Sequence, residues 1–185
     1  MKKKIWMLIP PICLPYLALF ALVTLFLSSD IPFFAFLMES VFQMNIFLLI
    51  GALLLCCVIA LAVSVVYFVV AVRKGWDALT LAKCAMILKI TQIPTYAVIF
   101  VLGVLLLISI MTIPFAIGLW WFDCFTLFLS GIFMVAAIIN AVRQGIFTSK
   151  EVRWFVILQF IFCADVVAAV VFYGKLKKKK GEENA

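Results

Sequence analysis

Histidine is absent from this 185-residue chain, and charged residues make up only 12% of it. Without imidazole there is no Ser–His or Cys–His nucleophile pair, and histidine-based zinc and haem sites are excluded. The cysteines Cys13, Cys56, Cys57, Cys84, Cys124 and Cys163 show no C-x-x-C spacing, so a thiolate metal site or redox dithiol has no footing. They read as small buried apolar residues. No glycine-rich phosphate cradle is present. The chain is therefore expected to be no enzyme and to need no metal and no cofactor.

The scarcity of charge also decides the solvent. Soluble domains carry roughly 25% charged and 45–50% apolar residues. Here 69% are hydrophobic and mean hydropathy is +1.34. No soluble core of this size hides that much apolar surface, so the expected partner is the lipid bilayer. The fold class expected is all-α, a polytopic membrane helix bundle. A span needs ~20 apolar residues at ~1.5 Å rise to cross ~30 Å of hydrocarbon. On that basis we expect about five transmembrane helices, near residues 5–28, 45–72, 87–108, 119–142 and 154–173, and a disordered charged tail at 175–185.

The net charge of +7 is clustered: Lys2, Lys3 and Lys4; Arg73 and Lys74; Arg143, Lys150 and Arg153; Lys175 and Lys177 to Lys180. Such clusters mark the cytoplasmic side and are drawn to anionic headgroups; no folded basic surface remains for nucleic acid. The N-terminus is expected in the cytosol. The loop with Asp30 and Glu39 carries no Lys or Arg and suits the opposite side. Five crossings then conflict with the positive-inside rule, because they put Lys175 to Lys180 outside. The alternative is that 154–173 enters and returns as a re-entrant hairpin, with non-helical backbone shielded at depth. That run has no internal Gly or Pro to make a turn, and five spans are the preferred reading.

Several helix ends are legible. Arg73-Lys74-Gly75 is a stop signal, Asp77 a candidate N-cap, and Thr148 or Ser149 a cap for the last segment. Lys83 and Lys89 interrupt an apolar pattern and are expected to snorkel to the surface. Pro94 is a candidate kink. Trp120-Trp121 reads as an interfacial belt.

Candidate functional residues follow from polar groups inside apolar runs. Asp165 lies deep within 154–173, where a carboxylate costs roughly 2.5–3.5 kcal/mol on insertion scales and is usually partnered or functional. Three readings compete: a protonated, hydrogen-bonded structural residue, a proton, cation or solute site, or the tip of a re-entrant element. At ~100° per residue, Asp123, Thr126, Ser130, Ala137 and Asn140 share one face of the fourth segment. That face is either a polar path or a small-residue packing surface. Lys89, Gln92 and Tyr96 share a side of the third segment. Gln92 and Tyr96 are the favoured partners of Asp165, and a Lys89–Asp165 pair requires the lysine to reach inward. Ala52, Cys56, Ala60 and Ser64 form a small-xxx-small ridge for helix packing. Two intramembrane aspartates raise an aspartyl-protease reading, but the contexts WFDC and FCAD match neither Tyr-Asp nor Gly-x-Gly-Asp.

GWDALTLAK at 75–83, QIP at 92–94, FDC at 122–124 and LQFIFCAD at 158–165 together resemble a family of small polytopic membrane proteins from Gram-positive bacteria with no assigned activity. The resemblance covers about residues 60–175. It implies a multi-pass protein of the bacterial cytoplasmic membrane and no mechanism. Two functions are carried forward. The first is a non-enzymatic membrane protein acting through helix–helix contacts, with other membrane proteins or a second copy as partner. The second is a small permease or proton/cation pathway using Asp165.

Overall fold

The computed structural model describes residues 6–108 and 110–183. The basic cluster Lys2 to Lys4, Ile5 at the expected start of the first span, and the last two residues of the tail lie outside the described residues. Among those described, the chain is helical with no strand. The helices are α1 (Ile9–Leu27), α2 (Pro32–Ser40), α3 (Ile46–Arg73), α4 (Ala78–Leu106), α5 (Ile113–Arg143), α6 (Ser149–Leu158) and α7 (Ala164–Glu183), with a 3₁₀ turn at Ile110–Thr112 before α5.

Local chemistry explains the boundaries. The Asn45 side chain accepts from the Phe47 N–H at 2.9 Å and opens α3. Asp77 accepts from the Thr80 N–H at 2.9 Å and opens α4, satisfying donors that a helix start leaves unpaired. Gly75 (φ +56°) and Gly145 (φ +73°) end α3 and α5 in the left-handed region, where glycine has no Cβ to clash. Glu151 accepts from the Thr148 N–H at 2.7 Å at the start of α6, the acidic half of a capping box. The apolar stretch after Ile31 forms α2, which opens on Pro32.

Four helices, α1, α3, α4 and α5, are long and apolar enough to cross a membrane. The chain is a multi-pass helical membrane protein. Helix α5 is its centre: 67% of its apolar window is buried, against 11% for α3. It packs against α4 on one side and α3 and α1 on the other. Small residues allow the close approach, with Ala78, Ala82 and Ala85 of α4 and Ala136, Ala137 and Ala141 of α5 fully buried in one cluster. Of the expected ridge on α3, Ala60 and Ser64 are fully buried, Cys56 is half-buried and Ala52 is exposed. The ridge packs inside the molecule only over its later half.

The last apolar run differs from the expectation of a fifth span. Residues 159–163 interrupt it, leaving α6 and α7 antiparallel. Glu151 and Lys179 are 28 residues apart yet their charged atoms meet at 3.0 Å; one continuous helix would hold them ~42 Å apart. Phe155 and Phe172 meet at 5.3 Å between ring centroids, and Phe147 and Phe172 at 5.5 Å. Helix α6 has 10 residues, ~15 Å, about half of a hydrocarbon core. The turn needs neither Gly nor Pro because Cys163 takes the left-handed conformation, φ 63°. Its strain, of order 1–2 kcal/mol, is held by contacts at the tip. A Cβ on Gly131 of α5 would lie 3.1 Å from the Phe160 ring, so the hairpin seats on a glycine. Phe162 meets Tyr96 edge-on at 6.0 Å.

Other boundaries also moved. Helix α4 starts at Ala78 behind the Asp77 cap and runs on through the expected span, whereas α5 begins at Ile113, ahead of Trp120-Trp121. The expected disordered tail instead continues α7 as far as Glu183, because its lysines have partners. Lys179 also donates to the Ile146 carbonyl at 3.2 Å and lies over the Phe147 ring at 4.1 Å, while Lys180 pairs with Asp77. The cysteines are free, and only Cys84 is fully inside; Cys13 and Cys163 are exposed, and the other three are half-buried.

Candidate functional site: a buried polar ladder

Helix α4 carries Lys89 inward. Its ammonium donates to the Asp165 carboxylate at 2.7 Å and reaches the Ser130 hydroxyl at 3.4 Å. Lys89 is 0% and Asp165 1% exposed. The lysine therefore does not snorkel: the hairpin tip brings a counter-charge to it at depth. Asp165 occupies the first turn of α7, where the positive end of the helix dipole adds to the lysine's field. Two charges buried together present no net charge to lipid, which makes the pair tolerable where either alone is not.

From this pair a row of polar side chains runs along the α4–α5 interface. Ser130 and Thr126 lie one helical turn apart on α5, with 0% and 1% exposure. The Tyr96 hydroxyl sits beside both of theirs and donates to Gln92 Oε1 at 3.2 Å. Asp123, 7% exposed, ends the row, and its Oδ1 has no hydrogen-bond partner among the described residues. Gln92 has a further task. Pro15 lacks the N–H that would bond the Pro11 carbonyl one turn earlier, and Gln92 Nε2 donates to that orphaned oxygen at 2.9 Å. This bond ties the proline turn of α1 to the amide of α4.

Seven of the eight pathway candidates thus lie together: Lys89, Gln92, Tyr96, Asp123, Thr126, Ser130 and Asp165. Asn140 does not join them. It lies ~15 Å along α5 from Ser130 and donates to the carbonyls of Ala71 at 2.9 Å and Trp76 at 3.0 Å, tying the α3–α4 turn to α5. The apolar Phe133, Met134 and Ala137, all 0% exposed, separate it from the ladder. The Tyr96 and Gln92 expected to meet Asp165 instead meet each other, and the lysine takes the aspartate.

The sequence reading missed three participants. Gln159 at the hairpin tip is 0% exposed, and neither its amide nitrogen nor its oxygen has a partner among the described residues; its signal was a lone amide deep in an apolar run. Gly131 had none short of the hairpin itself. The Pro11 carbonyl was legible from the Pro11-to-Pro15 spacing.

The apolar cavities lie away from the ion pair. A groove of about 330 Å³ between α4 and α5 includes Ile99, Gly103, Trp120 and Asp123 in its wall. A second, of about 280 Å³, lies among α1, α3 and α5 beside Gly118. Neither is lined by Lys89 or Asp165.

Comparison with known protein families, with curated proteins and with solved structures finds no match.

Proposed function

We propose that this chain is a non-enzymatic protein of the bacterial cytoplasmic membrane in which the Lys89–Asp165 pair gates a proton or small-cation pathway. The observation that carries the reading is the ion pair buried at the tip of a helical hairpin, at one end of the ladder Ser130, Tyr96, Thr126, Asp123. Ionisable groups at membrane depth that face a bundle interior mark ion and proton routes, and broken helices at depth are a recurring way to build such sites. In this state the pair is enclosed by protein. Passing a proton from Lys89 to Asp165 would turn the ion pair into a neutral one. Neutrality removes the attraction that holds the tip against α4 and α5, so the hairpin is the moving part.

The test is flux in sealed vesicles of the purified protein under an imposed membrane potential. The parent is expected to pass protons or a monovalent cation with a pH-dependent rate. Asp165→Asn is expected to lose that flux when assayed at a temperature below its own unfolding transition. Parent vesicles no leakier than protein-free ones overturn the proposal.

A second reading, a protein acting through helix–helix contacts, rests on α3. Its exposed early half carries Gly51 and Ala52 beside the half-buried Cys56, small residues that let another helix approach. Disulfide trapping of a second copy or another membrane protein through Ala52→Cys, with vesicles showing no flux, would put this reading first.

A further inference from the structure

The groove between α4 and α5 combines two features that seldom coincide by packing alone. Its wall is apolar: Ile99, Phe100 and Val104 from α4, Leu107 just past its end, and Ala116 and Trp120 from α5. Phe100 is 72% and Trp120 58% exposed, so it opens sideways towards lipid. Asp123, more than nine-tenths buried, is part of the wall, and its Oδ1 has no partner among the described residues. No basic residue lines the groove, and the lysine further along the ladder is held by Asp165. Gly103 leaves the floor open, since a Cβ there would meet nothing within 4 Å. A volume of about 330 Å³ is in the range of small-molecule sites, roughly 300–1,000 Å³.

We propose that this groove binds a single-chain lipophilic amine in its ammonium form, entering from the bilayer with its tail along α4 and its head on Asp123. The chemistry follows from what the wall lacks. A lone carboxylate in the wall of an apolar slot attracts a cation strongly because little solvent screens it, and an ammonium supplies a counter-charge that no residue of the wall provides. A zwitterionic phospholipid fits poorly, because its anionic phosphate would be held close to the same carboxylate and repelled by it. The groove uses a different carboxylate from the pathway pair, so this inference stands if the pathway reading falls.

The experiment is equilibrium binding of decylamine, with decanol as the uncharged control, to the parent protein in phosphatidylcholine nanodiscs, after subtracting empty nanodiscs. The parent is expected to bind the amine saturably at one site and to prefer it to decanol by about tenfold or more, the scale of one unscreened charge contact. Asp123→Asn is expected to remove that preference. Gly103→Phe, which fills the groove without touching the carboxylate, is expected to abolish binding, and Gly118→Phe, in the neighbouring apolar cavity, to leave it intact. Equal affinity for amine and alcohol, an Asp123→Asn protein that keeps the preference, or loss with Gly118→Phe alone overturns the proposal. Displacement of the amine by phosphatidylethanolamine at membrane concentration also overturns it, assigning the site to a bulk lipid.

Discussion

Lys89 and Asp165 show how a single side-chain placement reorganises the reading of a chain. A lysine in an apolar helix ordinarily draws its ammonium to the interface. Here its 0% exposure and the 2.7 Å contact mean the two residues are solved together. Removing one partner strands the other charge, and such losses run at about 3–5 kcal/mol. Asp165→Asn and Lys89→Met are each expected to destabilise the protein by that order. The double variant Lys89→Met/Asp165→Leu is expected to recover most of the loss, because an apolar pair replaces an ion pair at little net change. Thermal unfolding in a mild detergent reads the cycle; additive losses in the double variant would mean the residues do not act on each other. The stripe from Asp123 to Ser130 was legible because helical periodicity alone puts those residues on one face. The direction of Lys89 was not, because it depends on an aspartate 76 positions later.

At the level of elements, the hairpin α6–α7 is closed at both ends by different chemistry. Its tip is held by Gly131, Tyr96 and Lys89, its base by charges. The Thr148 backbone N–H, then Lys179 and the Thr148 hydroxyl, hold the Glu151 carboxyl down to about 2 from an ordinary 4.5. Burial pushes Asp77 up, but hydrogen bonds from Lys180 and Thr80 outweigh it, and its pKa lies below 3.8. Carboxyls depressed in the folded state contribute stability above their unfolded values and lose it as pH falls through the folded ones. The base is therefore expected to stay closed from pH 8 to about 5 and to loosen only as pH drops from about 4 towards 2. Spin labels at Lys150 and Lys178 would follow it; separation already at pH 6 would contradict the assignment. Exposed pairs of this kind are screened, so the base is also expected to weaken in high salt. The caps at Asp77 and Thr148 were legible because capping is local chemistry. The break at 159–163 was not, because no residue there signals a turn: Cys163 adopts a left-handed conformation that only the surrounding packing imposes.

For the whole molecule, four membrane-length helices and a hairpin returning to its starting end resolve the conflict between crossings and charge. Arg73 and Lys74, Arg143, Lys150 and Arg153, and the lysines of α7 all gather at one end of the bundle, where Lys180 meets Asp77 and Arg143 donates to the Val72 carbonyl at 2.7 Å. Composition was enough to establish a helical membrane bundle. It could not count the crossings, since 154–173 has the length and hydropathy of a span and folds back only through tertiary contacts. The most direct measurement is sidedness labelling in sealed, oriented vesicles, with single cysteines placed at Gly75, Glu39 and Glu182 of an otherwise cysteine-free chain. The account predicts that positions 75 and 182 react from the same side and position 39 from the opposite one. Reaction of position 182 from the side of position 39 would mean five crossings, and with them the hairpin, the shared basic end and the gate built on Asp165 would all be wrong.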